Sequence, residues 1–391
     1  VNADKSKVAI LQCDTYEINT LSQKINEGIE LLGGWGQWLK PGMNVLLKVN
    51  LIGPLPPESA AVTHCEFVRV LVQAIKKHGC NIWIGDSAGG AIGGKTNTAE
   101  GFVVSGLEKV AIEEGAVIKN FDKEGAVEVT TSGGEKMYIA KPMFDADFVV
   151  NLPKYKTHMS ATYTGAFKNV FGCIPGQKKA HYHKVAEGIK GFGTYICDIH
   201  QAVKIGLNII DGIEAMDKQG PTAGRVYRAN KILMGTDVLA VDSAALRMIG
   251  LSTEKLPIYA AAIERGIGVW NMDQIEICGD FHMPPKLPGF KMPSASLRQA
   301  QEAGISKKAL GKMIDLLKTR PQINMNKCKN CDVCVGSCPV GAIDRETKKI
   351  DYEKCIECMC CHELCLNKAV DLVNMNPLMR FFKKRNRQTQ S

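Results

Sequence analysis

Val45-Leu-Leu-Lys-Val49, Glu66-Phe-Val-Arg-Val-Leu-Val-Gln-Ala-Ile-Lys-Lys-His78 and Ile82-Trp-Ile-Gly85 follow one another closely in the chain. The first and third are short, mostly apolar runs of strand length. The second repeats its apolar residues Phe67, Val70, Leu71, Ala74 and Ile75 at helical spacing. Strand, helix, strand in that order predicts a parallel pair with the helix crossing one face. Working outward, Val8 to Gln12 and Val117 to Ile118 read as further strands, and Leu21 to Leu39 and Ala99 to Glu114 as further helices. Val127 to Thr130 and Met137 to Ile139 around Ser132-Gly133-Gly134 read as a hairpin. Phe148 to Leu152, Leu207 to Ile210, Ile232 to Met234 and Ile275 to Cys278 add strands, and Ala240 to Ile249 a helix. The expected fold class is α/β, with a mostly parallel, doubly wound sheet in a large N-terminal domain over residues 1–283.

Pro284, Pro285, Pro288 and Pro293 then open a linker, residues 284–320, in which Ser294 to Thr319 is helix-compatible, with Leu310, Met313, Leu316 and Leu317 as a docking stripe. A cysteine-rich α+β domain follows at 321–375, and a basic tail at 376–391. Of 391 residues, 45% are hydrophobic and 23% charged, which excludes disordered and collagen-like chains. No apolar run reaches the ~18–20 residues of a membrane span. The net charge of +9 is concentrated in the tail, where Arg380, Lys383, Lys384, Arg385 and Arg387 meet no acid. The remainder is nearly balanced, so nucleic acid is not expected as a partner. The start, Val1 to Leu11, lacks the pattern of a signal peptide, and the chain reads as cytoplasmic.

Nine of the 15 cysteines fall between positions 328 and 365. Cys328-Lys-Asn-Cys331-Asp-Val-Cys334-Val-Gly-Ser-Cys338-Pro339 has the C-x2-C-x2-C-x3-C-P spacing. It recurs as Cys355-Ile-Glu-Cys358-Met-Cys-Cys361-His-Glu-Leu-Cys365, with Leu366 in place of the proline. Zinc sites use two spaced pairs rather than a run of four that repeats, and disulfides need an oxidising compartment. The doubled run resembles the bacterial ferredoxin with two 4Fe–4S clusters. In that family a loop with cysteines every third residue wraps three thiolates around one cluster, and the fourth cysteine reaches the other. The resemblance implies one cluster on Cys328, Cys331, Cys334 and Cys365, and another on Cys355, Cys358, Cys361 and Cys338. Cys360 is extra to the pattern, either a packing residue or a thiol beside a cluster. The other six cysteines read as buried thiols, and plain reduced cysteine fits an anaerobic setting. Residues 321–375 carry seven basic and eight acidic side chains. With negatively charged clusters added, this surface suits docking on a basic redox protein.

The first 280 residues also carry polar segments that a plain core does not need: Lys48-Val-Asn50, Thr63-His64, Gly85-Asp86-Ser87, Asn151 to His158, Lys168-Asn169, Asp211-Gly212, Gly220-Pro-Thr-Ala-Gly224 and Asp237 with Asp242. Together they resemble the domain-of-unknown-function 362 family, often fused to a ferredoxin module. The likeness implies a fold and a redox association but no reaction. In a parallel sheet, ligands collect beyond the carboxyl ends of the strands, where most of these segments fall. Lys48, Asn50, His64, Asp86, Lys154, Lys156, His158, Lys168 and Asn169 are therefore the candidate ligand-binding residues, in a crevice suited to a phosphate or carboxylate. Solvated loop lysines are the plain alternative, and a metal pair of His64 with His158 is a weaker one.

Gly89-Gly-Ala-Ile-Gly-Gly94-Lys95-Thr96 also fits the phosphate-cradling G-x-x-x-x-G-K-[ST] pattern, although it begins four residues past the strand end at Gly85. Three function classes follow. The first is a low-potential electron carrier whose large domain docks a partner, binds an anionic ligand or forms a homo-oligomer. The second is an oxidoreductase acting on a small anionic substrate with electrons from the clusters. The third is an ATP-dependent reductase or cluster-handling ATPase using Lys95 and Thr96.

Overall fold

The apolar runs of the N-terminal part pair into one ten-stranded sheet. In the computed structural model, which describes residues 5–89, 91–92, 95–176, 178–293 and 319–374, its strands are β1 (Ser6–Gln12), β2 (Asn44–Lys48), β3 (Asn81–Asp86), β4 (Val117–Asn120), β5 (Phe148–Asn151), β6 (Lys154–His158), β7 (Thr162–Thr164), β8 (Leu207–Asp217), β9 (Arg225–Gly235) and β10 (Ile275–Gly279). They lie in the order β10-β1-β9-β8-β5-β2-β3-β4, with β6 on β8 and β7 on β6. The β2–β3, β2–β5, β3–β4, β5–β8, β6–β8 and β1–β10 pairs are parallel. Within this sheet, antiparallel pairing is confined to β1–β9, β8–β9 and β6–β7.

Both faces are covered, as continuous apolar strands require. Along β2 the side chains alternate: Val45 and Leu47 enter one core and Leu46 the other. The first core takes helices Ile18–Leu31 and Cys65–Lys76, the latter burying Phe67, Val70, Leu71 and Ile75. Each such side chain contributes about 1.5–3 kcal/mol on burial. The second core takes helices Gly188–Ala202, Val238–Met248 and Pro257–Glu264.

Some elements differ from their sequence-based expectation. The helix expected over Leu21 to Leu39 stops at Leu31, because Gly33 and Gly34 take φ of +106° and +81° and turn the chain out. The helix expected over Ala99 to Glu114 divides into Thr98–Val104 and Leu107–Glu114 at Gly106. β8 and β9 extend well past their apolar cores into an 11-residue antiparallel pair. Lys154 to His158, read as a loop after a strand, is itself strand β6.

The proline-rich stretch after β10 is not free. Lys291 accepts from Lys218 N at 2.7 Å and donates its own N–H to Asp217 at 3.0 Å, and Tyr227 donates to the Pro288 carbonyl. The helix-compatible residues Leu310 to Leu317 and the basic tail lie outside the described residues.

In the C-terminal segment, Thr319–Ile323 and Val370–Asn374 pair antiparallel and enclose two one-turn helices, Val333–Gly336 and Cys360–Glu363. The two halves repeat each other in detail. Asn330 and Asp332 take positive φ, and so do Glu357 and Met359, at the same offset as the cysteine runs. Ala342 N donates to Cys338 Sγ and Ala369 N to Cys365 Sγ, both at 3.2 Å.

Candidate functional site

The parallel strands β2, β3 and β5 end on Lys48, Asp86 and Asn151, all buried. Lys48 Nζ lies 2.9 Å from Asp86 Oδ1. Asp86 also accepts from Leu51 N and Ser87 N, yet burial still pushes its carboxyl above the usual range. Gly172 faces this pair, and a Cβ there would lie 2.3 Å from Asp86 Oδ1 and 2.6 Å from Lys48 Nζ. No side chain fits.

From Asn151 a row of carboxamides leads outward. Asn151 donates to Asn208, Asn169 donates to Asn151, and Asn50 donates to Asn169, at 2.8–2.9 Å. The last acceptor in the row, Asn50 Oδ1, takes the Lys156 ammonium at 2.6 Å, and the Ala61 carbonyl takes it from the other side. Each amide in such a row is both donor and acceptor, so its orientation is fixed by its neighbours. Burial, then the nearby Lys168 charge, pulls Lys156 down to about 7. The Cε resonance of Lys156 in 13C-lysine-labelled protein is expected to titrate near neutrality, charged below and uncharged above. A Lys156→Arg variant should lose that resonance alone.

Lys168 sits on the helical turn Ala166–Asn169. Asp242 caps that turn by accepting from Ala166 N at 2.7 Å and Phe167 N at 2.9 Å, and it is steadied by Tyr259. Gly165 is needed there, because a Cβ would lie 2.1 Å from Asp242 Oδ1. The Lys168 ammonium lies about 6 Å over the Phe171 and Phe192 rings. Among the described residues it meets no hydrogen-bond acceptor. Opposite it, His158 is 1% exposed, and its Nδ1 accepts from Ser160 N and Ala161 N. That leaves the proton of the neutral ring on Nε2, which lies 2.8 Å from Glu363 Oε1 without the alignment of a hydrogen bond. Burial holds His158 down to about 4. Burial also raises the Glu363 carboxyl, but His158 and Lys168 outweigh it and hold the carboxyl low.

Glu363 belongs to the C-terminal segment, which closes the site. Thr222 Oγ1 donates to its carbonyl at 3.0 Å, and Leu364 packs on Gly89, where a Cβ would lie 2.7 Å from Cδ2. Between the two parts is a cavity of about 170 Å³. Asn50, Asp86, Lys156, His158, Lys168 and Asn169 line one side, and Gly336, Ser337, Cys360, Glu363 and Leu364 the other.

Six of the nine candidate residues thus meet in one cavity. Lys48 stands behind it, on Asp86. His64 and Lys154 belong to a separate buried cluster: Lys154 Nζ is 2.7 Å from Asp211 and 2.8 Å from the Tyr16 hydroxyl, and the His64 ring stacks on Tyr16 at 3.6 Å. His64 Nδ1 caps helix Cys65–Lys76 and its ring lies on Tyr16, whereas His158 lines the cavity and faces Glu363. Sequence reasoning missed Lys179, His183, Cys360 and Glu363 as lining residues. Lys179 donates to the Ser87 carbonyl and, at 2.7 Å, to its hydroxyl, and burial pulls it down to about 8. In the sequence it is one of several basic residues on Lys178–Val185, and only burial distinguishes it.

The cysteines of the C-terminal segment border two voids. One is lined by Cys328, Cys331, Cys334 and Cys365, the other by Cys338, Cys355, Cys358 and Cys361, with Cys360 also on its edge. None is in a disulfide. Among the described residues, no three His, Cys, Asp or Glu close on a point that one ion would fill. Thiols spaced around a void suit a polynuclear cluster better than zinc, whose Zn–S bonds are ~2.3 Å.

Ala91–Ile92 pairs antiparallel with Lys95–Thr96, so the phosphate-loop match sits in a short hairpin. Residues 90, 93 and 94 and the Lys95 side chain lie outside the described residues. Among the described residues, no helix is long and apolar enough to cross a membrane.

Residues 45–247 match the family described as a domain of unknown function, DUF362, and residues 321–344 match the 4Fe–4S binding domain. The chain belongs to the DUF362 family and carries a ferredoxin-type iron–sulfur module, which makes it an iron–sulfur electron-transfer protein. It is 30% identical to a thylakoid-associated protein of Synechocystis sp. over 263 residues, 66% of this chain and 79% of that one. Its C-terminal part is 42% identical over 53 residues to pyruvate synthase subunit PorD of Methanothermobacter marburgensis, 14% of this chain and 64% of that one. It is 37% identical over 55 residues to an uncharacterized ferredoxin of Methanocaldococcus jannaschii, 13% of this chain and 37% of that one. Among solved structures, the lactate racemase apoprotein of Thermoanaerobacterium thermosaccharolyticum aligns at a TM-score of 0.36 and 16% identity, over 60% of this chain and 55% of that one. That likeness is too slight to bear on chemistry.

Proposed function

We propose that the chain is a two-cluster electron-transfer protein in which reducing equivalents reach a small anionic molecule held between the α/β sheet and the ferredoxin segment. Cys328, Cys331, Cys334 and Cys365 hold one 4Fe–4S cluster, and Cys338, Cys355, Cys358 and Cys361 the other. Each cluster, when bound, takes up and passes on one electron at low potential. The observation that carries the reading is the shared wall of the cavity, where Lys156, Lys168 and His158 face Cys360 and Glu363, next to Cys358 and Cys361. A carrier that only docks partners gives no reason to bury these lysines. Lys156, titrating near neutrality, is suited to orient an anion and to give up a proton there. The redox partner that supplies the electrons docks on the exposed side of the ferredoxin segment.

The reading is tested on anaerobically purified full-length protein. About eight irons and eight sulfides per chain are expected, with midpoint potentials on the order of −400 mV. The dithionite-reduced protein should then be reoxidised by members of a panel of small organic acids and phosphate esters, and this should be lost in Lys156→Met. Potentials well above −200 mV, or reoxidation indifferent to Lys156, would remove the case for it.

A further inference from the structure

Two buried hydroxyls of the cavity, Thr164 Oγ1 and Ser337 Oγ, have no hydrogen-bond partner among the described residues, while His158 Nε2 and Glu363 Oε1 face each other at 2.8 Å. Leaving a buried polar group unpaired costs about 1–3 kcal/mol, so a cluster of them points to a missing partner. Beside them the Lys168 ammonium lies about 6 Å over two ring faces and, among the described residues, has no hydrogen-bond acceptor. The two hydroxyls and this ammonium are all able to donate, which defines an acceptor with two or more oxygens.

Charge limits the acceptor further. Lys156, Lys168 and Lys179 line the cavity against Asp86 and Glu363, while Lys48 and Asp122 stand behind them with opposite signs. His158 and His183 are neutral there, because burial keeps both well below their usual range. Lys156 already donates to Asn50 and Ala61, and Lys179 to Ser87, which leaves Lys168 as the cavity ammonium without an acceptor among the described residues, a match for one carboxylate and not for a dianion such as a phosphate ester. Size and surface limit it as well. The cavity of about 170 Å³ slightly exceeds the roughly 150 Å³ that accommodates benzene. Leu51, Ile52, Phe171 and Leu364 supply an apolar wall.

We propose that this cavity binds a small monocarboxylate with an apolar, ring-sized body, its carboxylate on Lys168, Thr164 and Ser337 and its body against Phe171 and Leu364. The proposal rests on the reading above and names the class of molecule that the electrons meet. One consequence is specific to it: a carboxylate bound beside a cluster opposes the arrival of an electron, so ligand binding lowers the midpoint potential. By reciprocity, reduction weakens binding by the same factor.

The probes are benzoate, its neutral isostere benzamide, the dianion phthalate and inorganic phosphate, titrated calorimetrically into the anaerobic, cluster-loaded full chain. Benzoate should bind at least tenfold tighter than the other three. Lys168→Met should weaken it tenfold or more with iron content unchanged, and Thr164→Val, which removes one hydroxyl and keeps the shape, several-fold. Benzamide binding equal to benzoate, phosphate or phthalate binding tighter, or affinity unchanged in both variants would overturn the proposal. Redox titration with and without benzoate separates the two readings. A benzoate site that leaves both potentials unmoved upholds the monocarboxylate class and overturns electron delivery to the cavity.

Discussion

Serine in place of Cys338 is expected to cost the protein the cluster whose other three thiolates come from the second cysteine run, although Cys338 belongs to the first. The void that Cys338 lines is shared with Cys355, Cys358 and Cys361, 17 or more residues downstream. Iron should fall from about eight to about four per chain, and the paramagnetic signal of the reduced protein should simplify to that of one cluster. Cys365→Ser should do the same to the other cluster. Cys360→Ser should leave both in place, since Cys358 and Cys361 already fill the spacing. Iron analysis and EPR of the three variants read this directly. Loss of a cluster in Cys360→Ser with none in Cys338→Ser would mean that the ligands are not crossed.

The second large effect concerns Lys154, whose ammonium is wholly buried 2.7 Å from Asp211. Asp211 also accepts from the Tyr16 hydroxyl and from His64 N. Lys154→Met keeps the side-chain length but leaves that carboxylate charged in a dry interior with neutral donors only. Removing one partner of a buried pair costs about 3–5 kcal/mol, a large share of the ~5–15 kcal/mol that holds a domain together. Urea denaturation should show a loss of that size, and the double variant Lys154→Met, Asp211→Asn should recover part of it. A loss under about 1 kcal/mol would show that water reaches the pair.

Much of this architecture is written locally. The alternation of apolar runs with helical periodicity gives the parallel core around β2, β3 and β5, because each strand is buried on both faces and needs no polar positions. The cysteine runs are likewise self-contained. The helix Gly188–Ala202 is less visible. Its apolar residues Phe192, Ile196 and Ile199 repeat at helical spacing, but Gly188, Gly191 and Gly193 interrupt it, and Gly193 serves a neighbour: a Cβ there would lie 2.2 Å from the Ile258 carbonyl. Lys154-Tyr-Lys-Thr-His158 reads as a loop because it is polar, yet all five residues are buried as a strand. The reason lies in partners far along the chain, Asp211, Asn50, Lys218 and Glu363. Burial of charge is a property of the assembled site, and nothing within a few residues of Lys156 or Lys179 announces it.

The seat of the ferredoxin segment on Gly89 and Thr222 has a bearing on how such a protein fails. On the proposed reading, the clusters and the ligand cavity share the wall that carries Cys360 and Glu363, and the cluster thiolates Cys358 and Cys361 flank it. Air that strips the metal would therefore erase ligand recognition in the same event. A damaged molecule would fall silent instead of continuing to sequester its ligand, and rebuilding the metal centres would restore both capacities together.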